Sequence, residues 1–175
     1  MMRPSGKLWT MVNMIDTASD WSGKIVRWLI FPLVLGSTYE VIARYAFNSP
    51  TIWAYDLSYM LYGSFFMLGA GYALSTRSHI RTDILYNRWS PKTQGWVDAI
   101  LYLFFFFPGI IFFLIAGLDE AAHSWSILER SEAGPWRPLI CPFKTVIPVT
   151  AFLLLFQGVS EIVKSLYAGI KGEWP

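Results

Sequence analysis

AILYLFFFFPGIIFFLIAGL, residues 99–118, is twenty consecutive residues without Asp, Glu, Lys or Arg. LSYMLYGSFFMLGAGYALST, residues 57–76, is a second uncharged run of the same length. About 20 residues at ~1.5 Å rise carry a helix across a ~30 Å hydrocarbon core, where the backbone must satisfy its own hydrogen bonds. A soluble domain buries its helices along one stripe and keeps charge on the other face. Two uncharged runs therefore make a lipid bilayer the solvent of this chain.

Outward from these runs the chain supplies two more spans. The first covers residues 24–45, entered by Lys24 and Arg27, with Trp21 and Trp28 suited to the headgroup layer. The last covers residues 145–166, with Pro148 expected in its first turn. The run at 99–118 belongs to a span at 96–122, with a bend expected at Pro108-Gly109, and residues 57–76 form the remaining span. Ahead of them, Leu8, Met11, Val12 and Ile15 fall at i, i+3, i+4 and i+7. That stripe predicts a short helix lying on the membrane surface over residues 5–20. Thr10, Asn13 and Asp16 interrupt it too often for a signal peptide. The expected fold is all-α: an integral membrane protein with four transmembrane helices, in a single domain over residues 1–175.

Composition agrees with this reading. Hydrophobic residues make up 54% of the chain and charged residues 15%, against about 25% in a soluble domain. A net charge of +2 gives no basis for binding nucleic acid. Cys141 is the single cysteine, so no intrachain disulfide forms. Ten Lys and Arg fall on one side of the four spans and four on the other, which predicts both termini in the cytoplasm. The loop from 124 to 144 then faces outward.

Charge inside the spans is rare and therefore informative. Glu40 and Arg44 share a helix face at i, i+4, with Glu40 inside the apolar slab and Arg44 able to snorkel to its edge. An intramembrane carboxylate is a functional hypothesis by default, and an Arg one turn away favours a structural pair over a proton carrier. Arg44, with Glu40 or Asp56 as partner, can pin the tops of the first two spans. Gly69-x-x-x-Ala73 offers a small-residue strip for close helix approach. Glu120-x-x-His123 has the spacing of helix-borne metal ligands, yet the other histidine, His79, lies across the membrane, so no metal site is expected. Nucleophile and phosphate motifs are absent from the sequence, and the chain does not read as an enzyme.

The stretch Arg44-Tyr45-Ala46-Phe47-Asn48-Ser49-Pro50-Thr51-Ile52-Trp53-Ala54-Tyr55-Asp56-Leu57-Ser58 resembles the R-Y-x-F-x-x-P-x-x-W-x-[ED]-L-S region of a known family. That family is the small, DctQ-type membrane subunit of tripartite ATP-independent periplasmic (TRAP) transporters. The match carries one extra residue before Asp56. Gly71-x-Ala73-Leu74 followed by His79-Ile80-Arg81-Thr82-Asp83 resembles the family's H-[IV]-R-x-D loop. Pro135-Trp136 and Lys144 form a weaker third match.

The resemblance implies a non-catalytic subunit in the bacterial inner membrane. It would brace a large permease subunit during sodium-driven uptake of an organic acid or related solute. The partners implied are that permease, a periplasmic substrate-binding protein and membrane lipids. Sodium would be used by the partner, and this chain would carry no cofactor. His79, Arg81 and Asp83 would anchor a partner or a lipid phosphate on the cytoplasmic side. The rival reading is a self-sufficient small-cation exporter with Glu40 as its coupling carboxylate.

Overall fold

A computed structural model describes residues 6–76, 86 and 88–175. Its architecture is helical, and among the described residues the one β feature is an isolated bridge between Arg130 and Leu139. Helix α1 spans Lys7–Val26 and passes through a 3-10 turn at Arg27–Leu29 into α2, Ile30–Ala46. Pro32 explains that turn. It has no N–H for the carbonyl of Trp28, and the chain tightens just ahead of it. The helix predicted at residues 5–20 is thus longer than its apolar stripe and continuous with the first span.

Helix α3 spans Ala54–Ser75 and α4 spans Pro91–Leu101. The start of α4 follows from Ser90, whose side chain accepts from the Thr93 N–H, and from Pro91 at the first helical position. A π turn at Tyr102–Phe106 joins α4 to α5, Phe107–Ile127. The expected break at Pro108-Gly109 is met one turn earlier. Pro108 cannot donate to Phe104, and the turn holding that carbonyl widens.

The last helix, α6, runs from Cys141 to Lys171 and ends on Gly172 at φ 76°, whose N–H donates to the Ala168 carbonyl. It starts four residues before the expected span at 145. The bridge between Arg130 and Leu139 delivers the chain straight into its first turn, and the Ile140 N–H donates to the Glu129 carbonyl. Pro142 therefore occupies the first turn. Pro148, expected there, lies inside the helix, a correction that follows from the earlier start.

Helix α6 is the post of the bundle, with α1, α3, α4 and α5 all packed on it. Gly95 sits so close to α6 that a Cβ there would strike the Gly169 nitrogen and the Ser165 carbonyl. By contrast α2 packs on α3 and buries a single residue, Ala43. Among the described residues, three helical stretches are long and apolar enough to cross a membrane: Lys7–Ala46, Pro91–Ile127 and Cys141–Lys171. Helix α3 is not among them, although its 22 residues make it ~33 Å long. Its tyrosines, serines and glycines lower its apolarity, and α1, α2 and α6 pack around it.

Candidate functional site

Two polar clusters mark opposite ends of the bundle. At the loop end, where α3 and α6 begin, Glu40 of α2 accepts from Arg44 Nε at 2.9 Å and Nη2 at 2.5 Å. Its second oxygen accepts from the Thr51 N–H at 2.9 Å and from the Thr51 hydroxyl. Both carboxylate oxygens are engaged. Between the two anchor points Asn48 takes a left-handed φ of 48°, which Asn tolerates better than most residues, and the Ser49 N–H donates to the Ala43 carbonyl. Trp53 stacks on Tyr39, and Ser58 meets Ser37 at 3.3 Å between their hydroxyls. The quoted stretch is therefore a tie between α2 and α3, with Tyr45 and Pro50 left exposed.

Of the two partners open to Arg44, the structure selects Glu40. Asp56 turns the other way and is fully buried, accepting from the Ser131 hydroxyl at 2.5 Å. Its other oxygen has no hydrogen-bond partner and packs where a side chain on residue 134 would sit, so Gly134 is needed there. Asp56 thus clasps the loop between α5 and α6 onto the start of α3. A second tie holds the same loop: Lys144 donates to Glu129 at 2.6 Å and to Glu120 at 2.5 Å. Lys144 beside it holds the Glu129 carboxyl below its ordinary value. Cys141 lies beneath this loop, 1% exposed, with its thiol directed at the Ser124 carbonyl.

At the opposite end, α1 runs antiparallel to α6. Trp9 meets Tyr167 edge-on at 5.3 Å, and ten residues along α1, Ser19 reaches Gln157, ten residues back along α6. Between these contacts lies a polar network. Ser19 donates to Gln157 at 2.6 Å, and Gln157 donates to Asp16 at 3.0 Å. Ser160 donates to Asp16 at 2.7 Å, and Lys164 bridges Asp16 at 2.9 Å and Glu161 at 2.7 Å. Gln157, Ser160 and Glu161 are almost wholly buried.

Sequence reading overlooked this network, treating Glu40 as the one notable charge in the spans. A signal was there. Gln157, Ser160, Glu161 and Lys164 recur at i, i+3, i+4 and i+7, a polar stripe in an apolar helix. On α1, Val12 and Ile15 of the expected stripe turn inward with Ser19 and Val26, while Leu8 and Met11 stay exposed.

The remaining candidates are scattered. Gly69 has open space where a Cβ would sit, whereas Gly63 and Gly71 meet α6, at Phe143 and Leu153. Pro135 and Trp136 are exposed on the loop between α5 and α6. His79, Arg81 and Asp83 lie outside the described residues. Among the described residues, no cluster of three His, Cys, Asp or Glu side chains is placed to hold a metal ion.

A bundle of long apolar helices, tied at each end by ion pairs, defines a multi-pass membrane protein. The particular class follows from comparison. Residues 33–167 match the model of the DctQ component of tripartite ATP-independent periplasmic transporters, and the chain belongs to that family. It is also similar to the sialic acid TRAP transporter permease protein SiaT of Haemophilus influenzae (strain 86-028NP), with 26% identity over 150 residues. That match covers 85% of this chain and 23% of the relative, so the chain spans about a quarter of the length of the relative it matches. No solved structure matches it significantly.

Proposed function

We propose that this chain is the small, non-catalytic membrane subunit that braces the large permease subunit of its transporter. The transport is sodium-driven uptake of an organic acid or related solute, delivered by a periplasmic binding protein. In this reading the subunit crosses the bacterial inner membrane four times, with both termini in the cytoplasm. The exposed face of α1, carrying Met11, Trp21 and Ile25, lies against the headgroups.

One observation carries the proposal. The charges of Glu40 and Arg44, and of Asp16, Glu161 and Lys164, are spent on each other, whereas α2 leaves Phe31, Leu35, Ile42 and Tyr45 uncovered. A substrate or ion site needs polar groups turned toward a cavity. A brace needs a rigid post and an open apolar face, the arrangement of α6 and α2. The small-cation exporter draws less support, because both Glu40 oxygens are already held by Arg44 and Thr51. Mild-detergent purification of a tagged chain from its native host tests the reading. A very hydrophobic, many-span permease should copurify in equal amount. Recovery of the chain alone as an active homo-oligomer would favour the exporter.

A further inference from the structure

An apolar groove of about 370 Å³ opens at the loop end of the bundle. Its floor is the first three turns of α3, through Leu57, Met60, Leu61 and Ser64. Phe143 of α6 forms one wall, and Trp136 on the loop between α5 and α6 forms the roof. Neither tie described above uses this space. One turn of α-helix with its side chains fills a cylinder ~10 Å across and 5.4 Å long, roughly 400 Å³. The groove is therefore too small to enclose a partner helix, and a single unbranched hydrocarbon chain is the slimmer fit.

The roof adds a charge. Arg137 follows Trp136 directly and holds a left-handed φ of 50°, with its carbonyl accepting from Arg130 Nη1 at 3.2 Å. Among the described residues, the Arg137 guanidinium has no ion-pair or hydrogen-bond partner, and both arginines are exposed. Of the two acids in this loop, Glu129 is committed to Lys144, which leaves Glu132 against two arginines. Arg137 sits between two residues that line the slot, Trp136 and Pro138, and an unpaired guanidinium beside an apolar slot matches an anionic headgroup above an acyl chain.

We propose that this groove binds one anionic phospholipid, its acyl chain between α3 and Phe143 and its phosphate on Arg137. The inference rests on the membrane reading and goes beyond the bracing role. The lipid acts as a further tie at this end, filling the space beneath the clasped loop.

The test uses the full chain in vesicles of equal phosphatidylcholine and phosphatidylglycerol, each doped in turn with a photoreactive acyl-chain analogue. Adducts should concentrate on residues 57–64 and Phe143, with phosphatidylglycerol favoured. Ser64→Phe, which plugs the slot, should cut those adducts about tenfold while adducts on the exposed face of α2 stay unchanged. Arg137→Asn keeps a residue type that tolerates the left-handed backbone and should abolish the headgroup preference. If Ser64→Phe perturbs folding, the change in α2 adducts will show it, and Arg137→Asn decides the matter. Adducts spread evenly over the helices, or unaffected by both substitutions, would overturn the proposal. So would their loss on adding the large subunit, which would make the groove a seat for protein. Absence of adducts everywhere, α2 included, would instead refute the membrane reading itself.

Discussion

Helices α2 and α6 are both apolar enough to cross a bilayer, yet they live in different surroundings. In its most apolar stretch α6 has 44% of residues buried, while the helix containing α2 has 6%. Helix α6 buries eleven residues, among them Thr150, Gln157, Ser160, Glu161 and Ser165, and four other helices pack on it. Helix α2 touches α3 and turns its bulky side chains outward. Lipid tails are as apolar as leucine, so apolar side chains alone do not drive helices together in a membrane. Polar contacts and close packing do, and α6 is where this chain concentrates both. The exposed face of α2 is what remains to offer to lipid or to another subunit.

If that contrast is correct, the largest effects should come from α6. Lys164→Met leaves Asp16 and Glu161 facing each other without their shared cation. Breaking a buried pair costs about 3–5 kcal/mol, so the variant should lose α1 docking and aggregate on extraction, as read by size-exclusion chromatography. Next comes the seam between α4 and α6. Gly95→Ala pushes a methyl into the backbone at Ser165 and Gly169, and overpacking of this kind costs about 1–3 kcal/mol. A clear drop in melting temperature should follow, and an unchanged one would mean that α4 is not held tightly.

The loop clasp should be weaker. Asp56→Ala removes the acceptor for Ser131, and one hydrogen bond is worth about 1 kcal/mol. Cys141, buried beneath the loop, is a built-in reporter. An impermeant maleimide should label it roughly fivefold faster in Asp56→Ala, reflecting easier local opening, and little faster in Asp56→Asn. The smallest effect on stability belongs to α2. Leu35→Ala, at a position 68% exposed, should move stability by less than about 0.5 kcal/mol, yet reduce copurification of the large subunit. A destabilised but fully associated Leu35→Ala would invert the comparison.

Legibility in the sequence followed chain distance. Two spans were visible because charge is absent for twenty residues at a time, and Glu40–Arg44 was visible because one helical turn separates them. Asp56 shows the limit. Its identity and neighbourhood were plain, but its partner, Ser131, is 75 residues away, and nothing local distinguishes it from Arg44 as the contact. The network around Lys164 joins residues up to 148 apart, and only its α6 half left a periodic trace. The π turn and the early start of α6 escaped for another reason. A proline marks where a hydrogen bond is lost, while the helix chooses whether to bend, widen or begin elsewhere.

Reconstitution measures the bracing role most directly. In proteoliposomes with an imposed sodium gradient, this chain alone should give no solute uptake. Adding the large permease subunit and a loaded binding protein should give uptake that disappears when this chain is omitted. Sodium-dependent uptake by the chain alone, or undiminished uptake by the other components without it, would contradict the account.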